Sequence, residues 1–148
     1  MTLHALPEPH LIPVTHRAFY LDVPDIEVEI AATSPLGVLR GERSISTRMR
    51  VDSGATTTML NDGYARHLGI DLSQVPRAPV VGITGEEEQH PYTLLDMKLC
   101  DQWLEVPVLF APNRWPQLLG REGVFDHLFV AFAYEGLGIS PFVAMGVA

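Results

Sequence analysis

The run Met49-Arg50-Val51-Asp52-Ser53-Gly54-Ala55 sets a carboxylate at the end of a strand-like stretch and follows it with small residues. A carboxylate placed there is a group that can give or take a proton. Its neighbours suit a tight, rigid presentation. Gly54 lets the backbone turn and approach another segment closely. Ala55 keeps the surroundings narrow. Ser53 can donate and accept, so it can lock the turn onto backbone groups. Three residues alone also describe an ordinary strand-ending turn, so the reading depends on what lies around them.

The elements that must position Asp52 read as short strands. Ile26-Glu27-Val28-Glu29-Ile30 alternates with period two, the strand signature. Ser34-Pro35-Leu36-Gly37 marks a turn. The stretch from Arg40 to Val51 alternates more weakly and runs straight into Asp52. Asn61 is placed to cap a short helix, with Tyr64, Ala65 and Leu68 at helical spacing and Gly69 just past its end. Pro76 and Pro79 are expected to break regular structure. Val80 to Gly85 reads as a hairpin tip. Strands are expected from Thr93 to Leu99, from Trp103 to Phe110 and at Leu118-Leu119. A second short helix is expected from Gly123 to Leu128. A closing hairpin would join Leu128–Phe132 to Leu137–Ile139 around Tyr134-Glu135-Gly136. Many short strands with Gly and Pro punctuation predict a mainly β domain over residues 18–148. Residues 1–17, with three prolines and three of the six histidines, read as an irregular lead-in.

In that frame, the run from Met49 to Leu60 resembles the active-site segment of retropepsin-like aspartic proteases: apolar, Asp, Thr or Ser, Gly, Ala, then polar residues and a second apolar strand. Two further segments extend the likeness. Gly82, Ile83, Thr84 and Gly85 resemble the glycine-containing flap tip that closes over substrate. Leu118-Leu119-Gly120-Arg121 resembles the apolar-apolar-Gly-Arg segment near the family's C-terminal end, about 65 residues beyond Asp52. The likeness covers about Phe19 to Ile139. It implies a closed acid-protease-type β-barrel with one or two short helices, a flap hairpin and one lobe per chain.

The resemblance also implies the chemistry. Asp52 would be the catalytic carboxylate, and Ser53, Gly54 and Ala55 would support its loop. Gly82 to Gly85 would cover the substrate, and Leu119, Gly120 and Arg121 would brace the site. The family uses two carboxylates on one water, one ionised as general base and one protonated. This chain carries one Asp-Ser-Gly, so a two-fold homodimer would have to supply the second carboxylate. The apolar tail from Ile139 to Ala148 is a candidate for pairing across that interface or for packing on its own core. The substrate would be a peptide or protein, and neither a metal nor an organic cofactor is implied. The pattern departs from retroviral members in two ways. The place four beyond Asp52, often a second Asp that pairs with the Arg, holds Thr56, which leaves Arg121 to seek Glu122, Asp62 or a carbonyl. The lead-in before Asp52 is also longer. These departures leave two alternatives: a non-catalytic peptide-binding or self-association module, or a latent peptidase switched on by dimerisation.

Composition narrows the classes further. The 148 residues are 47% hydrophobic and 19% charged, enough to bury a core. A net charge of −8 argues against nucleic acid and against anionic membrane surfaces. The start lacks a signal-peptide pattern, no apolar run reaches spanning length, and the lone Cys100 requires no oxidising compartment. A soluble cytoplasmic protein is the expectation. Cys100 is read as a packing residue and Trp103 and Trp115 as core or cleft-wall aromatics. His4, His10 and His16 have no ligand spacing. His67, His90 and His127 are expected at the surface or as caps, and Glu86-Glu87-Glu88 as a solvated hairpin flank.

Overall fold

Alternating apolar residues cover one face of a strand, and the chain buries those faces against each other. The computed structural model describes residues 14–20, 22–33, 44–81, 85–133 and 141–147. Ten strands lie among them: β1 (His16–Phe19), β2 (Asp25–Ala32), β3 (Ile45–Val51), β4 (Thr58–Asn61), β5 (Arg77–Val81), β6 (Glu87–Leu99), β7 (Gln102–Ala111), β8 (Leu118–Leu119), β9 (Leu128–Ala133) and β10 (Phe142–Val147). The chain is mainly β, as its pattern predicts.

One sheet has the order β2-β3-β8-β4-β7-β6-β5, and a further β2–β6 pairing closes a ring of six strands within it. The ring surrounds a core in which Val28, Ile30, Leu60, Leu95, Met97, Val106 and Val108 are fully buried. Each such side chain stabilises the fold by roughly 1.5–3 kcal/mol relative to exposure. Residues 87–91 of β6 pair with β5, and from Tyr92 onward β6 pairs with β7. The β5–β6 hairpin therefore projects beyond the ring. Pro79 lies within β5 and does not interrupt it, because β5 is an edge strand and a missing N–H there costs no ladder bond.

The three-stranded sheet β1-β10-β9 stands apart from the ring. Its central strand is β10, paired with β1 on one side and β9 on the other. Residues 142–147 of the apolar tail thus pair inside their own chain.

The Asn61 cap forms as expected: its side chain accepts from Gly63 N–H at 2.8 Å and opens a 3-10 turn at Asp62–Tyr64. Helical turns continue to Gly69, whose φ of 73° suits a glycine past a helix end. The second expected helix differs. It begins at Arg121, ends at Phe125 and is broken inside by extended Glu122 and by Gly123 at φ 78°. A Cβ on Gly123 would lie 2.9 Å from Pro107, so β7 leaves room there only for glycine. The Ser34-Pro35 turn, the tip residues Gly82, Ile83 and Thr84, and the turn at Tyr134-Glu135-Gly136 with the strand at Leu137–Ile139 lie outside the described residues. Among the described residues, no helix is long and apolar enough to cross a membrane.

Candidate active site

Asp52 follows the last residue of β3. Val51 pairs in parallel with Leu119 of β8, and Asp52 N–H donates to Leu119 O at 3.1 Å. The short β8 lies between two neighbours, parallel to β3 and antiparallel to β4. It therefore joins the strand that enters the Asp52 loop to the strand that leaves it. Gln117, just before β8, helps to hold this arrangement. Its amide donates to Arg48 O and Thr47 Oγ1 on β3, and its carbonyl oxygen accepts from Asn61 N–H on β4.

The Asp52 carboxylate is half-buried and locally oriented. Its Oδ1 accepts from Gly54 N–H at 2.9 Å, an Asx-type turn. A Cβ on Gly54 would sit 3.2 Å from that same oxygen. Ala55 N–H donates to Asp52 O at 3.2 Å and tightens the loop. Ser53 and Gly54 are exposed at its crest.

Residues 120–122 pin the far side of the loop. Arg121 N–H donates to Ala55 O and Glu122 N–H to Thr56 O, both at 2.9 Å. Arg121 Nη2 donates to Thr56 Oγ1 at 3.0 Å. The hydroxyl of Thr56 is therefore the partner of Arg121, in place of the expected Glu122, Asp62 or carbonyl. Gly120 N–H donates to the fully buried Thr58 Oγ1 at 3.0 Å. Gly120 is required for the close approach: a Cβ there would come within 2.6 Å of the Thr57 carbonyl carbon. Leu119 thus meets Asp52, Gly120 meets Thr57 and Thr58, and Arg121 meets Ala55 and Thr56. Burial pushes the Tyr92 phenol above its ordinary value, and the Glu122 carboxylate adds to the push.

A groove of about 370 Å3 runs beside this loop. One wall is Gly54, Ala55, Thr56 and Thr57; the other is Pro79, Val80 and Val81 of β5, with Met59 and Leu109 also lining it. The loop and the projecting hairpin therefore face one cleft. Gly85 stands near the hairpin tip with φ 80°. A second groove, about 420 Å3, lies between β1 and β2 beside Cys100 and Asp101 and holds none of these residues. Among the described residues, no group of three His, Cys, Asp or Glu side chains could hold a metal ion.

Sequence reasoning missed Gln117 and Leu109, which carry no motif and matter only through residues distant in the chain, and it gave Thr58 and Met59 no role of their own within the Met49–Leu60 run. It also misplaced His90. That side chain is 7% exposed within β6, where its Nε2 meets Glu88 Oε2 at 3.1 Å and its ring packs on Trp115. His90 was expected at the surface or as a cap, but it and the adjacent Pro91 belong to the strand.

The family model described as "gag-polyprotein putative aspartyl protease" matches residues 42–122, from just before β3 through Glu122. The chain belongs to this family. Its members are retropepsin-like aspartic proteases, and the matched span holds both Asp52 and the Gly120-Arg121 brace. One solved structure agrees on the fold. A retropepsin-like aspartic protease from Rickettsia conorii is 15% identical with a TM-score of 0.51, the match covering 80% of this chain and 88% of that one. The simian foamy virus (mac) protease is 24% identical with a TM-score of 0.44, covering 68% of this chain and 90% of the viral one. A Legionella pneumophila protein of unknown function is 20% identical with a TM-score of 0.39, covering 74% and 88%. No curated protein matches the chain.

Proposed function

We propose that this chain is one half of a homodimeric aspartic endopeptidase in which Asp52 and its two-fold mate Asp52′ activate a water against a peptide bond. The observation that carries the proposal is the pinned loop. A half-buried carboxylate is oriented by Gly54 N–H, its loop is held by Arg121 and Glu122, and the loop's Gly54 to Thr57 line a groove whose other wall is a projecting hairpin. In the reaction, one carboxylate takes a proton from water as the oxygen attacks the carbonyl carbon. The protonated mate gives its proton to the carbonyl oxygen. Collapse of the tetrahedral intermediate then returns a proton to the leaving amine. Two carboxylates on one water share a single proton, a behaviour taken over from known aspartic-protease dyads.

In this reading, Ser53 braces the loop by reaching toward the partner's loop, and Gly82, Ile83, Thr84 and Gly85 form the flap. An extended peptide lies along the β5–β6 hairpin much as a strand joins a sheet edge. Closure then excludes water. Because β10 is held between β1 and β9, the edges that its sheet offers to a partner are β1 and β9. The single Cys100 fits a cytoplasmic setting.

The test is Asp52→Asn. Its side-chain oxygen can still accept from Gly54 N–H, so the fold and the dimer are expected to persist while cleavage of a broad peptide library falls by at least ~1,000-fold. Sedimentation measured alongside reports the dimer. Full activity in the variant would end the proposal.

A further inference from the structure

The β5–β6 hairpin has an unusual support. Its arms, Arg77–Val81 and residues 87–91, pair with each other. Their ladder does not join them to the ring, which β6 enters at Tyr92. A two-stranded hairpin alone is marginal in water. One main-chain bond crosses its base, Tyr92 N–H to Pro76 O at 2.8 Å, and side-chain contacts add to it; one of these is made by a titratable group. His90, buried on β6, packs its ring on Trp115 with centroids 5.0 Å apart and planes tilted by 60°. Trp115 belongs to the loop between β7 and β8, which leads into the Leu119-Gly120 segment beneath Asp52. His90 Nε2 also meets Glu88 Oε2, two residues back on the same face of the strand.

We propose that His90 is a proton-controlled clasp that seats the β5–β6 hairpin on the body of the chain, tightening when the imidazole is protonated and loosening when it is neutral. The proposal rests on the peptidase reading only for its consequence, control of access to the groove. The clasp itself is a property of the free chain.

The physical case has three parts. Imidazole is the side chain whose charge changes between about pH 5 and 8. The protonated ring donates to Glu88 through a charge-assisted bond, stronger than the neutral form. It also sets a cation 5.0 Å from the indole centroid, within the roughly 6 Å reach of an attraction that neutral imidazole lacks. Burial of the ring opposes its charge, and the clasp requires the Glu88 bond and the indole contact to outweigh that cost. The charged groups on the packed elements are few. On β6 they are Glu88, which pairs with His90, and Glu87, which accepts from Gln89. On β5, Ala78 stands opposite His90, and the neighbouring Arg77 donates to Gln89 O at 2.9 Å. On the loop, Arg114 is exposed beside Trp115.

The experiment is residue-resolved amide hydrogen exchange of the full chain without substrate, at about pH 5.5 and about pH 7.5, on either side of the ordinary imidazole range. After correction for intrinsic rates, amides in Arg77–Val81 and residues 87–91 should exchange roughly three- to tenfold more slowly at the lower pH, while ring strands do not change. NMR resonances of the His90 imidazole and the Trp115 indole should titrate together. His90→Phe keeps the ring packing and should remove the pH response. Glu88→Gln, at a more exposed position, should weaken it even if the first variant folds poorly. Asp52→Asn should retain the full response, so failure of the clasp and failure of the peptidase reading are read separately. Hairpin exchange that ignores pH, that speeds up on acidification, or that keeps its response in His90→Phe overturns the proposal.

Discussion

Arg121 holds the Asp52 loop twice over, its guanidinium donating to Thr56 Oγ1 at 3.0 Å and its own amide donating to Ala55 O at 2.9 Å. A hydroxyl therefore does the work that a second carboxylate does in the retroviral pattern. The exchange of an ion pair for a neutral acceptor has a modest cost, because both residues are exposed and water screens such a pair.

Thr56→Val removes the acceptor but leaves the two main-chain bonds. Its expected cost is about 0.5–1.5 kcal/mol, read as a lower urea midpoint at unchanged slope. Thr56→Asp restores a charge partner and should recover the wild-type midpoint or exceed it by at most ~1 kcal/mol. A Thr56→Asp protein clearly less stable than Thr56→Val would show that Arg121 does not reach this side chain.

Gly120 and Gly85 separate steric need from backbone conformation. Gly120→Ala drives a methyl into the Thr57 backbone at 2.6 Å and should destabilise by about 2–4 kcal/mol. Gly85→Ala meets open space but keeps φ 80°, so about 1 kcal/mol is expected. Denaturant unfolding of the two variants gives the order directly. Equal losses would contradict the close packing of residue 120 on the loop.

Cys100 sets an alkaline limit. Burial pushes its thiol up, the Thr15 side chain pulls it back in part and the Asp101 charge adds to the push. The fold thus favours the protonated thiol. Its contribution to stability is whole below the ordinary thiol value of about 8.5 and falls as pH rises past it, because the unfolded chain ionises first. Unfolding midpoints at about pH 8 and about pH 10 should drop less in Cys100→Ala than in the wild type. A wild-type drop no larger than that of the variant would contradict the assignment.

Much of this architecture was legible in local pattern. The alternation at Ile26–Ile30 became β2, the Asn61 cap formed, and Gly69 took the positive φ expected past a helical turn. Strand alternation and caps are set by neighbours a few residues apart, which a linear reading can see. The segment after Gly120 was less legible. Gly123 looked like the start of a helix, but its φ and its contact with Pro107 depend on β7, which precedes it by more than a dozen residues. His90 was misread for the same reason: nothing near it in sequence announces Trp115.

By itself, the sequence determined the β class, the turn at Asp52-Ser53-Gly54 and the family, because these follow from residue type and short spacing. The tertiary structure alone decided that Thr56 receives Arg121, that β10 lies inside its own chain's sheet, and that His90 is buried against Trp115. Each of those outcomes is a contact between segments that the linear order keeps apart. Such contacts exist only once the ring has closed and burial has chosen which faces meet.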